Sequence, residues 1–190
     1  MKRRYHLRLF AVLVILCLTL LPSLRVEAGE GVKFDAEGAL LLPEGYRSWM
    51  YVGTTVTPND LNDGKAAFPE FHNVYIDSKS FQAYRNTGEF PDGTILVKET
   101  LSVGSKQASS GKGYFMGDFV GVFAEVKDSK RFPNEPENWA FFTFRESSDK
   151  PLMKRAKAHP TAACSNCHEL GAKERVFSQY YPILKVAEPK

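Results

Sequence analysis

A short cysteine motif near the C-terminus constrains the fold of this 190-residue chain more than any other feature. Cys164 and Cys167 are separated by two residues and followed directly by His168, the pattern that attaches a c-type haem. Each thiol can bond one vinyl group of the porphyrin, and the imidazole can bind the iron axially. The chain must therefore fold so that its last 30 residues present a large planar cofactor to an apolar pocket.

The N-terminal segment has the pattern of a cleaved secretory signal. Four basic residues precede an apolar run over 9–21, and Val26 and Ala28 are small residues at the positions that a signal peptidase reads. The run is shorter than the roughly 18 apolar residues of a membrane span. We therefore predict a signal peptide over 1–28, a haem domain over 29–190, export to the periplasm, and no membrane segment after cleavage.

Loss of this segment changes the charge and the cysteine count. It removes five of the 25 basic residues and one of the 22 acidic ones, so the formal charge falls from +3 to −1. A chain of this charge with no basic stripe is not expected to bind nucleic acid. It also removes Cys17, which leaves only the two cysteines of the motif, too few for a structural zinc site or a disulfide framework.

The pattern of the mature chain predicts an α+β fold, mainly antiparallel β-sheet with a few helices. Alternating and β-branched stretches predict strands over 49–56, 71–76, 94–103, 115–126 and 139–144. Capping residues over 77–80 predict a short helix over 81–85, and the composition of 105–113 indicates a surface loop. Further helices are predicted over 149–159 and over 169–186, the second interrupted by Pro182. The haem motif then lies on a C-terminal helical segment, unlike in the small all-helical electron carriers.

The mature chain resembles the cytochrome P-460 family over nearly its whole length. The stretches that carry the resemblance include Leu41-Leu42-Pro43 through Tyr46-Arg47, Val56-Thr57-Pro58-Asn59, Leu61-Asn62-Asp63-Gly64-Lys65, Val74-Tyr75-Ile76-Asp77, Thr87-Gly88-Glu89-Phe90, Gly113-Tyr114-Phe115-Met116-Gly117-Asp118 and Asn138-Trp139-Ala140-Phe141-Phe142. The motif from Cys164 to His168 completes the set. Together they are more specific than the haem motif alone.

This resemblance implies a mainly β, homodimeric, periplasmic protein with one covalently bound haem c. It implies oxidation of hydroxylamine at an open iron site, to nitrous oxide or to nitrite or nitric oxide, with electrons passed to a c-type cytochrome. It also implies that a lysine is covalently joined to the porphyrin. The matching residue is Lys98, in the strand that follows the turn at Gly93 and Thr94.

The residues around Lys98 allow two interpretations of that lysine. Alternation places Lys98 on one face of its strand with Leu96 and Thr100, and places Val97 and Glu99 on the other. By pattern alone, a solvated strand lysine is the simpler interpretation. The resemblance favours the cross-link, and burial beside an apolar haem would promote the neutral amine that such a bond requires.

Residues on the remaining side of the iron would decide what the haem does. The methionines Met50, Met116 and Met153 are interpreted as core residues, so the sixth iron position is expected to be open. Removal of protons from hydroxylamine requires a base near the iron. His72 is the first candidate for this distal base, followed by His159, Glu99 and Glu146.

Two other functions stay open for the sequence. A protein like the related cytochrome c′-beta would bind nitric oxide without turnover beneath aromatic side chains, for which Phe68, Phe71, Phe90 and Phe115 are candidates. A plain electron-transfer cytochrome is the third interpretation. The reaction product, the physiological acceptor and the formation of the Lys98 cross-link do not follow from the sequence.

Overall fold

The computed structural model describes residues 31–147 and 149–185. The predicted signal peptide over 1–28 lies outside the described residues. None of the helices in the described part is long and apolar enough to cross a membrane.

Within the described residues, seven strands form two antiparallel sheets. They are β1 (Leu40–Leu41), β2 (Met50–Val56), β3 (Glu70–Ile76), β4 (Ile95–Ala108), β5 (Gly111–Lys127), β6 (Trp139–Thr143) and β7 (Arg155–Ala156). The main sheet has the order β2-β3-β4-β5-β6, and β1 pairs with β7 in a small second sheet. Strands that are neighbours in the main sheet are also consecutive in the sequence, as hairpin connections allow in antiparallel sheets. The predicted α+β fold is confirmed.

In this described part of the chain, three α-helices accompany the sheets: α1 (Ser78–Thr87), α2 (Thr161–Gly171) and α3 (Pro182–Lys185). The predicted cap of α1 is present, because the Asp77 carboxylate accepts a hydrogen bond from the Ser80 N–H at 2.9 Å. Helix α1 ends at Gly88, whose φ of 77° is the left-handed conformation that glycine adopts at low cost.

The register of the main sheet assigns each side chain to one of two faces. Lys98 pairs with Val74 on β3 and with Phe123 on β5, and Leu96 pairs with Glu125. Directly opposed residues share a face, and successive residues alternate. We call the face that carries Lys98 the C-terminal face, and the face that carries its neighbour Glu99 the N-terminal face.

Each face packs against a different part of the chain. The C-terminal face is covered by the end of the chain, in a cluster formed by Val52, Val74, Ile76, Phe81, Tyr84, Phe90, Leu96, Trp139, Val176, Tyr181 and Leu184. The N-terminal face is covered by residues near the N-terminus and by the β1/β7 sheet, in a cluster formed by Leu40, Tyr46, Ile95, Val97, Val122, Ala124, Val126, Ala140, Phe142, Phe144 and Ala156. The sheet therefore separates two apolar clusters.

The prediction of a surface loop over 105–113 is wrong. Strand β4 continues to Ala108, β5 begins at Gly111, and these two residues pair across the hairpin turn. Near the base of this extension Gly104 and Gly117 face one another, and a Cβ atom on Gly104 would lie only 2.6 Å from the Cα atom of Gly117. The polar composition reflects solvent exposure of paired strands rather than the absence of pairing.

Two predicted C-terminal helices also differ from the structure. Residues 151–160 form no helix; Met153 donates its N–H to the Phe144 carbonyl at 2.8 Å, and β7 follows in the same segment. Pairing with neighbouring chain outweighs the weak preference of so short a helix. The helix predicted over 169–186 instead begins at Thr161, includes the haem motif and ends at Gly171; Val186 lies outside the described residues.

Candidate functional site

Helix α2 presents the cysteine motif to the C-terminal face of the sheet. Cys164 and Cys167 are three residues apart and Cys164 and His168 are four apart, so all three side chains project from one side of the helix. Cys164 is half-buried, Cys167 is exposed, and both are free thiols. This arrangement leaves the sulfur atoms available for two thioether bonds to a haem.

The imidazole of His168 is held in the orientation that an iron ligand needs. Its ring centroid lies 4.6 Å from that of Phe141 and 4.8 Å from that of Phe177. Nδ1 lies 2.5 Å from the carbonyl oxygen of Arg175, which can only accept a hydrogen bond. Nδ1 therefore carries the proton, and the lone pair of Nε2 is left for a metal. Burial lowers the pKa of His168, which favours the neutral form that binds iron.

Lys98 lies on the C-terminal face between two aromatic rings. Its Nζ atom is 4.6 Å from the ring centroid of Phe68 and 4.7 Å from that of Phe123. Burial lowers the pKa of Lys98, while the charges of Glu125 and Cys164 oppose this shift. The lysine predicted from the resemblance is thus half-buried, with its amine packed against two aromatic rings, rather than a fully solvated strand residue.

Glu125 is a site residue that the sequence analysis did not identify. It lies on the C-terminal face, and its Oε2 atom is 3.6 Å from Nδ1 of His168. Burial raises the pKa of Glu125 to about 8, an effect that the charge of Lys98 partly offsets. A signal was present in the sequence, since Glu125 is a charged residue at an inward position of an alternating strand.

His72, the first candidate for the distal base, shares the C-terminal face with Lys98. It pairs with Thr100 on β4, and its ring centroid is 6.1 Å from that of Phe68. Its Nε2 atom is buried and has no hydrogen-bond partner among the described residues. Burial first, and the charge of Lys98 second, lower the pKa of His72 to about 4, so that the imidazole is neutral near pH 7.

The other candidates for the distal base lie elsewhere. Glu99 is on the N-terminal face, and the exposed Glu146 forms an ion pair with Lys150 at 2.8 Å. His159 is 2.7 Å from the Thr143 hydroxyl, at the β6 edge of the C-terminal face. Of these candidates, His72 lies nearest to Lys98 in the sheet register: it is on the same face, in the adjacent row of paired residues.

The candidate methionines and phenylalanines are scattered through the fold. Met50 packs against the cluster on the C-terminal face, Met116 is 47% exposed on the β4–β5 hairpin, and Met153 lines a surface groove with Arg145 and His159. Phe68 covers Lys98. The other three phenylalanines lie apart from it: Phe71 is on the N-terminal face, Phe90 stacks on Tyr84, and Phe115 is on the hairpin.

Fold and site together define an antiparallel-sheet protein whose C-terminal helix carries a haem attachment motif on the C-terminal face of the sheet. The family model for cytochrome P460 matches residues 43–178, and the chain belongs to this family. It is therefore a haem protein, and the suspected family is confirmed. A search of curated proteins finds no match.

Proposed function

We propose that this protein is an exported, homodimeric haem c oxidoreductase that oxidises hydroxylamine and passes the electrons to a c-type cytochrome in the periplasm. One observation carries the proposal most strongly. Lys98, Glu125 and His72 are titratable side chains held on one face of the sheet, and the haem motif of α2 is directed to that same face. Clustered groups with displaced pKa values beside a cofactor site are typical of catalysis.

Three residues of α2 would hold the cofactor. Cys164 and Cys167 would form the thioether bonds, and Nε2 of His168 would bind the iron, with its ring fixed by the Arg175 carbonyl. The haem supplies an iron that can bind the nitrogen of hydroxylamine and accept its electrons. The apolar rings of Phe141 and Phe177 limit the access of water to His168.

Lys98 would form a third covalent bond, to a meso carbon of the porphyrin. An amine attacks carbon only when it is unprotonated, and burial of Lys98 moves its pKa in that direction. The amine nitrogen would replace the hydrogen of the meso carbon, with loss of two protons and two electrons, so this maturation step would need a two-electron oxidant such as a peroxide. The bond would fix the ring against the sheet and alter its planarity, which is one of the means by which a protein tunes a haem.

His72 would handle the protons. Oxidation of hydroxylamine releases protons together with electrons, so a base must accept them near the iron. Glu125 lies beside Nδ1 of His168, the ring nitrogen that faces away from the iron, and is therefore on the side of the histidine ligand. His72 lies one row beyond Lys98 in the sheet register, away from Glu125, and its neutral imidazole has a buried Nε2 with no hydrogen-bond partner among the described residues. We therefore place His72 as the proton acceptor.

The spectrum of the purified protein tests the cross-link. We expect a ferrous Soret band that is strongly red-shifted from that of ordinary haem c and that persists after denaturation. Lys98→Arg keeps the positive charge but cannot form the bond, and should restore an ordinary band. Lys112→Arg, at an exposed position on the β4–β5 hairpin, is the matched control and should leave the band unchanged. An ordinary band in the wild-type protein contradicts the cross-link.

Steady-state oxidation of hydroxylamine with a dye acceptor tests the activity. His72→Gln removes the proton acceptor but keeps a polar side chain of similar size, and should lower kcat by about 100-fold or more. The haem spectrum should stay that of the wild type. Normal turnover in this variant would contradict the assignment of His72 as the base.

A second candidate function is the binding of nitric oxide without turnover. The observation that favours it is the Phe68 ring, which lies over Lys98 and can restrict access to the site. Phe68→Ala should then raise the rate of nitric oxide binding. Absence of hydroxylamine turnover in the wild-type protein, with reversible nitric oxide binding, would favour this function over the first.

A further inference from the structure

The chain makes an unusual turn directly after the haem helix. Lys173 and Val176 form an isolated antiparallel bridge, and each donates its N–H to the carbonyl of the other, at 3.1 and 2.9 Å. The two residues between them, Glu174 and Arg175, have φ values of 46° and 63°. Two-residue turns with both central residues at positive φ favour Asn and Gly, because side chains with a Cβ atom are disfavoured there. A Glu-Arg pair in this conformation is strained.

Side chains from three other parts of the fold hold the turn in place. A carboxylate oxygen of Glu174 lies 3.2 Å from Nζ of Lys127 on β5 and 3.5 Å from the N–H of Phe90. The buried guanidinium of Arg175 lies 3.7 Å from a carboxylate oxygen of Glu137 and 3.8 Å from one of Glu169. Strained backbone persists only where the surroundings determine it in this way.

The turn delivers one carbonyl group to the haem motif. The carbonyl oxygen of Arg175 is the acceptor that lies 2.5 Å from Nδ1 of His168. Its direction depends on the backbone of the turn, because the peptide plane after Arg175 is set by the left-handed conformation of that residue. If the turn relaxed to an ordinary conformation, this carbonyl would rotate away from the imidazole.

We propose that the Lys127–Glu174 ion pair is a positioning device for the iron ligand. It holds residues 174 and 175 in the left-handed conformation, so that the Arg175 carbonyl accepts the Nδ1 hydrogen of His168. A histidine that donates from Nδ1 is a more basic ligand through Nε2, which stabilises the ferric state and lowers the reduction potential. This inference rests on His168 being the axial ligand of the proposed function.

The test uses the haem-loaded protein and two readouts apart from activity. They are the iron–histidine stretching frequency of the ferrous protein in resonance Raman spectra, and the reduction potential. Lys127→Met removes the ion pair, and should lower the stretching frequency and shift the potential to a more positive value. Lys127→Arg keeps the charge and should restore both. Glu146→Gln, which breaks the exposed ion pair with Lys150, is the matched control and should change neither.

A double variant tests the strain itself. Glycine adopts positive φ without the Cβ penalty, so Glu174→Gly in the Lys127→Met background should return the frequency and the potential towards wild-type values. If Lys127→Met fails to fold, Glu174→Gln is a milder substitution that removes the carboxylate charge of the same ion pair. Unchanged readouts in both Lys127→Met and Glu174→Gln overturn the proposal, as does a double variant that recovers nothing.

These outcomes are distinguishable from failure of the proposed function. A wild-type protein with an iron–histidine band but no hydroxylamine turnover would contradict the proposed activity and leave the positioning device open to the same measurements. A wild-type ferrous protein without such a band would overturn the device, because His168 would then not be the ligand.

Discussion

Lys98 and Glu99 are consecutive residues of one strand, and the structure surrounds them in opposite ways. On the N-terminal face, the Glu99 carboxylate accepts hydrogen bonds from the Tyr46 hydroxyl at 2.5 Å and from Nε of Arg47 at 2.6 Å. On the C-terminal face, the Lys98 ammonium lies between the rings of Phe68 and Phe123. Burial and the Glu99 hydrogen bond raise the pKa of Tyr46, whereas burial lowers the pKa of Lys98.

This difference separates a structural charge from a functional one. A buried carboxylate that accepts two strong hydrogen bonds helps to fix the fold around it. Loss of water around the Lys98 amine disfavours its charged form, although the faces of the two rings attract an ammonium. A titratable group in such a place is typical of a functional site. Glu125, whose pKa is raised by burial, and His72, whose buried Nε2 has no hydrogen-bond partner among the described residues, resemble Lys98 in this respect. The titratable groups that lack compensating partners therefore lie on the C-terminal face, and the hydrogen-bonded Glu99 carboxylate lies on the N-terminal face.

The largest expected effect is on activity, and it compares the two neighbours directly. Lys98→Met should lower kcat/KM for hydroxylamine by about 100-fold or more, because it removes the cross-link that would tune the haem. Glu99→Gln should stay within about threefold of the wild type, because this side chain lies on the other face. Steady-state kinetics on the haem-loaded variants measures both. An equal loss of kcat/KM in the two variants would contradict the assignment of catalysis to the C-terminal face alone.

The second effect is on stability and concerns the N-terminal face. Tyr46→Phe removes a buried hydroxyl donor from a carboxylate, and should lower the free energy of unfolding by about 2 kcal/mol. Tyr114→Phe is the matched control, since that hydroxyl donates to the exposed Asp60 at 3.1 Å. Denaturant titration should show a clear loss for the first variant and a much smaller one for the second. Similar midpoints would contradict the structural role of the Glu99 network.

A third, smaller effect is the pH dependence that His72 confers. Its pKa is lowered from 6.5 to about 4 in the folded protein, so the unfolded chain binds the proton first as the pH falls. Stability should therefore be complete above about pH 6.5 and should decline towards pH 4. In His72→Gln this decline should be shallower, as measured by denaturant titration across that range. Parallel profiles for the two proteins would show that His72 is not buried as neutral imidazole.

The smallest effect is expected where neither face is involved. Lys106 and Asp60 form an exposed ion pair at 2.7 Å between the β4–β5 hairpin and the loop after β2. Exposed pairs contribute little because water and salt screen them. Asp60→Asn should leave the unfolding midpoint within experimental error of the wild type. A loss of stability as large as that of Tyr46→Phe would contradict the expectation that buried charged groups contribute more to stability than exposed ones.

Much of the sheet could be predicted from the sequence, because strand alternation is a local property. The five strands of the main sheet and the cap of α1 are where the pattern places them, with ends shifted by a few residues. The predictions failed where pairing outweighed composition. The composition of residues 105–113 predicted a polar loop, yet they extend β4 and β5. A helix was predicted over 149–159, yet this segment pairs with other parts of the chain.

The candidate site was predicted only in part for a related reason. The motif of Cys164, Cys167 and His168 is contiguous and is visible in any fold, and Lys98 followed from family resemblance. Glu125 is 27 residues from Lys98 in the chain, and only the β4–β5 register brings it to the same face. The Arg175 carbonyl on His168 is a backbone group in a strained turn, for which side-chain patterns give no signal.

The sequence by itself determined the haem attachment motif, the strand periodicity and the opposite directions of Lys98 and Glu99. These depend on spacing along a single segment, and the backbone geometry of a strand or helix converts spacing directly into direction. Only the tertiary structure decided that Glu99 contacts Tyr46 and Arg47, while Lys98 packs between Phe68 and Phe123. Those contacts join residues far apart in the chain, and whether a buried charge is compensated depends on which partners the fold brings to it.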